Sequence, residues 1–446
     1  MLNYCPLIYV CFIKVYKVKY LIISLCVFLV FISCKSDKKI ITEKAFIDSL
    51  FAHYTLPAAI KATADEMQFW KNRIDPNVAG IVSESKYAST FISRFHQFGD
   101  IKDIKMADSV MSKVNVDFNY KEASPNLTLA GYAILQHRFK EADAYLEKAR
   151  EIGLKRYESL TVSFDVDFEL GRYNNAALYI KQLKPEADYG YYFRRSKLDH
   201  LNGNMDSAIQ AMLKAAELAA SSEYLKGVAL SNAADLYIHA GNLQKAATLY
   251  KECIQMNSAD YHSITGLGWI ALVGDKNDSL AEQIFKFVHT KSKLPDPLFK
   301  LYQMAQGRGD SVLETKYASE FAARATDTVY GNMYNKYLIE IYTGILHEPA
   351  KAEILAKKEL SNRNTAQTNA WYAFSLFCNH KNEEAYKVYQ QSVSGKPLEG
   401  LELYWMGKLM QGLAKGYNAQ EFFKAANKNY YDLSPAMQAD LKKISG

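Results

Sequence analysis

The sequence predicts an all-α protein, a solenoid of stacked helix-turn-helix repeats, from three observations. Alanine recurs as Ala142, Ala176, Ala208, Ala246, Ala281, Ala318, Ala352, Ala385 and Ala419, at spacings of 34, 32, 38, 35, 37, 34, 33 and 34 residues. Four residues later stands a large apolar side chain (Leu146, Ile180, Met212, Tyr250, Phe285, Tyr389 or Phe423), while Ala322 and Ala356 depart from the pattern. Five residues before the alanine stand Gly171, Gly203 and Gly241 in three units, and His137, His347 and His380 in three others.

Each regularity has a physical cause. Residues at i and i+4 share one helical face, so the alanine lets two helices approach while the bulky residue fills the space towards the next unit. The slot before them is the turn of the hairpin, where a left-handed backbone is needed and glycine is favoured. Histidine is among the non-glycine residues enriched there, which gives those three histidines a structural role in place of a catalytic or metal-binding one. A single hairpin cannot bury its apolar face, so neighbours stack into one continuous core.

Boundaries between units fall at KPEADYG (184 to 190), KSKLPDP (291 to 297) and SGKPLEG (394 to 400), each combining proline or glycine with charge. Pro349 stands where a helix should begin, a place that tolerates a missing amide hydrogen. Two units are irregular: two extra residues separate Gly274 from Ala281, and the next keeps Ala318 with a turn at Gly307 and Gly309. Ala107 suggests a further unit 35 residues before Ala142. Residues 435 to 445 read as a last helix that caps the final unit. Residues 40 to 80, with Phe46, Leu50, Phe51, Ile60 and Met67 at apolar positions, are expected to cap the other end.

The segment LSNAADLYIHAGNLQKAATLYKECIQMNS resembles a tetratricopeptide repeat, with Ala234, Tyr237, Gly241, Leu243, Ala246, Tyr250 and Cys253 in its signature slots. A second match is ELYWMGKLMQGLAKGYNAQEFFKAANKNYYDLSP, which carries Gly407, Ala419, Phe423, Ala426 and Pro435. The resemblance covers roughly residues 120 to 435. It implies a right-handed superhelical solenoid of about nine to ten tetratricopeptide-type units that binds partners in a concave groove.

The N-terminus reads as a targeting segment. KVYKVK at 14 to 19 is followed by the uncharged YLIISLCVFLVFIS, then by Cys34 and the polar KSDKK. Fourteen uncharged residues fall short of the roughly twenty apolar ones that a spanning helix needs, and suit a signal-peptide core. FISC resembles a lipobox: Ser33 is the small residue before the cleaved bond and Cys34 would carry the acyl chains. Phe31 departs from the aliphatic residue usual there. Each acyl methylene contributes roughly 0.8 kcal/mol, so two or three chains hold firmly. With its repeats, the chain is similar to tetratricopeptide lipoproteins of Gram-negative, Bacteroidota-type envelopes. The expected organisation is a leader at 1 to 33, a tether and helical cap at 34 to 80, the solenoid at 81 to 434 and a capping helix at 435 to 446. The body is expected outside the cytoplasm, periplasmic or surface-exposed, on the outer or inner membrane.

Composition excludes several classes. The net charge of +6 falls to about +3 once Lys14, Lys17 and Lys19 leave with the leader, too weak a bias for nucleic acid. Cys253 and Cys378 are the only cysteines beyond residue 34, and 125 residues separate them, several units apart in a stacked array. Both read as buried, unpaired and apolar. The chain has no HExxH, paired CxxC, glycine-rich phosphate loop or GxSxG, so neither an enzyme nor a cofactor is expected. His200, His239 and His262 read as isolated residues, exposed or packed.

The resemblance places the groove on the first helix of each unit. It nominates Thr161, Asp165 and Phe168; Phe193, Lys197 and His200; Ser231, Asp235 and Ile238; and Tyr404, Lys408 and Gln411. DYGYYFRRSK (188 to 197) is the most aromatic and basic of these helices and suits a peptide or acidic motif, although Tyr191, Tyr192 and Phe193 fit packing between units as well. The pattern that clamps a C-terminal carboxylate in some family members is absent. The expectation is a lipid-anchored scaffold holding an envelope protein or peptide, with no nucleic acid and no small-molecule substrate. A surface glycan-binding lipoprotein of nutrient uptake, or an accessory lipoprotein of outer-membrane assembly or secretion, is the alternative.

Overall fold

The computed structural model describes residues 40–55, 58–184, 188–219 and 221–445. Cys34 and the expected leader lie outside the described residues. The chain divides after Ile40, and the body is the unit Ile41–Gly446.

The described residues form 23 α-helices and no strand. Helices α1 (Lys44–His53) and α2 (Ala58–Lys71) precede ten hairpins. These are α3/α4 (Val82–Phe98, Ile101–Asp117), α5/α6 (Ala123–Leu135, Phe139–Ile152), α7/α8 (Arg156–Glu169, Tyr173–Gln182), α9/α10 (Tyr189–Leu201, Met205–Leu218) and α11/α12 (Glu223–His239, Leu243–Met256). They continue with α13/α14 (Tyr261–Ile270, Asp278–Lys291), α15/α16 (Asp296–Arg308, Ser311–Ala325), α17/α18 (Asn335–Thr343, Pro349–Asn362), α19/α20 (Ala366–Cys378, Asn382–Val388) and α21/α22 (Gly400–Gly412, Gly416–Ala426). Helix α23 (Pro435–Ser445) follows. The architecture is the expected tetratricopeptide-type solenoid.

All nine repeat alanines are buried, none more than 2% exposed, and Leu146, Met212, Tyr250, Phe285 and Phe423 are buried beside them. The turn slot is left-handed wherever glycine or histidine pointed to it: Gly171, Gly203 and Gly241 have φ of 78°, 76° and 77°, and His137, His347 and His380 have 54°, 50° and 61°. Lys276 and Ala414 fill the same slot at 57° and 55°. In several units the next residue caps the second helix. Asn242 Oδ1 accepts from the Lys245 amide at 3.2 Å, Asn277 from Leu280 at 3.1 Å and Asp310 from Leu313 at 3.0 Å.

Gly274 is therefore not a turn residue. The insertion is absorbed by a π-helical turn at Ala271–Asp275, and the left-handed position stays five residues before Ala281 at Lys276. Gly274 is needed for packing, since a Cβ there would lie 2.6 Å from Leu243 Cδ1. Gly309 at φ 68° makes the next turn, while Gly307 stays helical beneath Pro435. Pro349 occupies the first turn of α18 as expected.

The N-terminal helices do not form one cap. Helix α2 packs on α3, whereas α1 lies against α14, far along the chain. Phe51 stacks on Phe287 at 4.3 Å, the Tyr54 and Tyr261 hydroxyls are 2.6 Å apart, and the Ile41 and Thr42 amides both donate to the Asp275 carboxylate at 2.8 Å.

The array curls until its turns touch. Lys293 Nζ pairs with Asp100 at 2.7 Å, Gln136 Nε2 donates to the Val329 carbonyl at 3.4 Å, Arg363 reaches Glu169 at 3.5 Å, and His239 meets Asp432. Their separations are 193, 193, 194 and 193 residues. In each case a hairpin turn of the first superhelical turn meets a loop of the second. Asn332 and Asn362 both donate to the carbonyl of left-handed His137, at 3.2 and 2.8 Å, and fix the register of this seam.

A closed lumen as candidate binding site

Because successive turns touch, the concave face becomes a lumen. It holds a cavity of about 650 Å³, lined by the first helices of successive hairpins and by the loop and helix at 432 to 437. The inward stripes follow helical spacing: Asn232, Asp235 and His239 on α11; His262, Thr265 and Trp269 on α13; Asp296, Lys300 and Gln303 on α15; Lys336, Tyr337 and Glu340 on α17.

The structure divides the nominated groove residues. Lys197, His200, Asp235 and Ile238 line the lumen. Lys197 pairs with Glu169 at 2.9 Å and lies 4.7 Å above the Phe168 ring. Asp165 and Phe168 are not on the cavity wall: Asp165 is held by Arg194 Nε at 3.0 Å, and Phe168 stacks on Phe164 at 5.7 Å. Phe193 stacks on Tyr189 and packs between units. Thr161 and Ser231 are buried, with hydroxyls donating to their own helices at the Tyr157 carbonyl (3.0 Å) and the Val228 carbonyl (3.1 Å), so they present nothing to a partner. Gln411 is exposed.

Tyr404 and Lys408 are already occupied by the chain itself. Asp440 of α23 accepts from the Tyr404 hydroxyl at 2.7 Å and from Lys408 at 3.2 Å. Helix α23 does more than cap the last unit. It lies along α15, with Lys276 donating to Gln438 at 2.8 Å, and so fills one side of the groove.

His200, His239 and His262 are not isolated. The rings of His200 and His239 stand edge to face at 4.8 Å, with Asp432 on the far side of His239. Burial and the neighbouring His239 lower the pKa of His200. His262 Nε2 lies 3.0 Å from Asp235 Oδ2, and that charge raises the imidazole to about 9 against the effect of burial. Asp235 also accepts from the Tyr250 hydroxyl.

The wall formed by α13, α15 and α17 lay outside the nominated set. Lys300 Nζ lies 3.7 Å over the Trp269 ring, and its only hydrogen bond among the described residues is a long one of 3.4 Å to Gln303. Desolvation lowers its pKa to about 8. Glu340 is 5% exposed, and burial raises its carboxyl to about 7 despite Lys300 and Lys336. Lys336 is already engaged by Glu402 at 2.9 Å. Of the two cysteines, Cys253 is buried and Cys378 only partly so, beside a second hollow under Phe377 and Trp405; both are free, and burial pushes their thiols up to about 12.

No described helix is long and apolar enough to cross a membrane, and no described group of histidine, cysteine, aspartate and glutamate could hold a metal ion. No family model matches the chain, and no curated protein matches it. Among solved structures, a monomeric mutant of IFIT1 with m7Gppp-AAAA is similar at 12% identity over 74% of this chain and 76% of that one, with a TM-score of 0.44. The human IFIT1 dimer with m7Gppp-AAAA is similar at 11% identity over 74% and 76%, with a TM-score of 0.46. At that distance neither ligand bears on this chain.

Proposed function

We propose that this protein is a binding protein of the cell envelope, tethered through a lipidated Cys34, that holds a small polar ligand or short peptide inside its lumen and catalyses no reaction. The observation that carries the reading is the half-open cavity of about 650 Å³ with charged groups on its wall, within the range of about 300–1,000 Å³ typical of ligand sites. A folded partner domain suits this lumen poorly, because α23 and the second superhelical turn already occupy the concave face. That shifts the expected partner from a protein gripped in an open groove to a molecule or chain end that fits inside. Glycan binding is the weaker reading, since the Lys300 ammonium covers the Trp269 face on which a sugar would stack. An accessory role in assembly or secretion remains compatible with peptide capture.

The test fills the lumen. Thr265 lines the cavity wall, and Thr265→Trp should occupy it while leaving the stacked alanines alone. A low-molecular-mass fraction of envelope extract should raise the melting temperature of the full-length wild-type protein and leave the variant unmoved. A shift of equal size in both proteins, or none in either, overturns the reading.

A further inference from the structure

On the lumen wall, buried Glu340 and half-buried Lys300 are under-partnered. Glu340 is 5% exposed on the cavity wall, and while Gln303 bonds its carboxyl, Oε1 accepts no hydrogen bond among the described residues. Lys300, one helical hairpin earlier, has no described carboxylate in ion-pair contact; its ammonium rests on Trp269 and a single long bond to Gln303. Most other luminal charges are matched by a charge, Lys197 by Glu169, Lys336 by Glu402, His262 by Asp235 and His239 by Asp432, and Asp296 accepts from the Tyr334 hydroxyl at 2.6 Å. Taking a carboxylate or ammonium out of water is costly unless it is paired. The same wall thus carries one spare cation and one spare acceptor, close enough to bias each other's proton yet not in contact.

We infer that the lumen binds an amphoteric ligand, a free amino acid or short peptide, whose carboxylate pairs with Lys300 and whose ammonium is accepted by Glu340. This deepens the proposed luminal binding and rests on it. Phe299 and Leu236 line the same cavity and give the ligand's side chains an apolar surface. An extended tripeptide spans roughly 10 Å, which a cavity of this size accommodates.

The experiment uses the full-length protein in detergent and three probes: alanine, a tripeptide library with free ends, and the same library N-acetylated or C-amidated. Free-ended peptides should bind the wild type at least tenfold more tightly than either capped set. N-acetylation should cost less than twofold in Glu340→Gln, and C-amidation less than twofold in Lys300→Met. Both substitutions preserve shape, and Lys300→Gln replaces Lys300→Met should the latter fail to fold. Binding of alanine as tight as that of tripeptides would identify a free amino acid as the source of the same chemistry, and weaker binding would identify a peptide. Capped and free peptides binding alike, or no probe binding while envelope extract still gives a Thr265-dependent shift, overturns the inference and leaves luminal binding intact. Loss of the extract shift as well overturns both.

Discussion

The His239 imidazole and the Asp432 carboxylate meet across 193 residues of chain, tying a hairpin turn of the first superhelical turn to the loop before the last helix. Burial alone would lower the pKa of His239, but the hydrogen bond and charge of Asp432 outweigh it and hold the imidazole above its ordinary value. A histidine raised on folding contributes its full stability below the unfolded pKa of about 6.5, and loses it as pH rises through the folded value. The seam should therefore be tightest in mild acid. The side chains are 19% and 28% accessible, so a double-mutant cycle of His239→Gln and Asp432→Asn should give a coupling of about 1 kcal/mol at pH 6. Denaturation at pH 9 should show a smaller coupling; one that does not change with pH would contradict the assignment.

The repeat alanines predict a contrast in tolerance to bulk. Ala246 is fully buried between helices, whereas Ala322, which breaks the small-then-bulky pattern, is only partly buried. Ala246→Leu should destabilise by roughly 1–3 kcal/mol through overpacking, and Ala322→Leu by well under that. Chemical denaturation of the two variants measures the difference directly.

What was legible in the sequence follows from what repeats. Alanine, the bulky residue after it and the left-handed turn recur in most hairpins because each hairpin solves the same packing problem, so Ala142 to Ala419 and His137, His347 and His380 all fall where expected. Contacts between superhelical turns do not repeat locally. Nothing near His239 announces Asp432, and nothing in the last helix announces that Asp440 covers Tyr404 and Lys408. The inward stripe was half legible. Lys197, His200 and Asp235 were nominated at the right spacing, but the choice of Ser231 over Asn232 is an error of one residue, about 100° around the helix. Lys300 lies in an irregular unit and Glu340 in one where Ala356 replaces the bulky residue, and both were missed, although a lysine and a glutamate at inward positions of first helices were a usable signal.

The turn slot permits a test free of side-chain contacts. Ala414 holds φ 55° without the local hydrogen bonding that asparagine or aspartate would supply, and a Cβ added at Gly203, φ 76°, would meet nothing within 4 Å. Ala414→Gly should relieve left-handed strain of about 1–2 kcal/mol, less the greater unfolded entropy of glycine, for a net gain of roughly 0.5–1 kcal/mol. Gly203→Ala should lose a comparable amount. Thermal melts of the pair should shift in opposite directions, and a shift of the same sign in both would show that the slot is not conformationally limiting.

Asp235 joins two groups that titrate against it. Its charge raises His262 to about 9, and its oxygen accepts from the Tyr250 hydroxyl, itself 1% exposed. Asp235→Asn should lower the His262 pKa from about 9 towards the ordinary imidazole value, with Asp260 and Asp296 left to favour the charged form, and imidazole chemical shifts followed by NMR report it. In the wild type this pair's stabilisation is complete below about 6.5 and is lost as pH rises through about 9. Tyr250→Phe removes a hydrogen bond to a charged acceptor and should cost roughly 1.5–3 kcal/mol, while leaving His262 protonated at neutral pH. If Tyr250→Phe instead carried His262 to its ordinary value, the hydroxyl rather than the carboxylate charge would be setting the protonation of this wall.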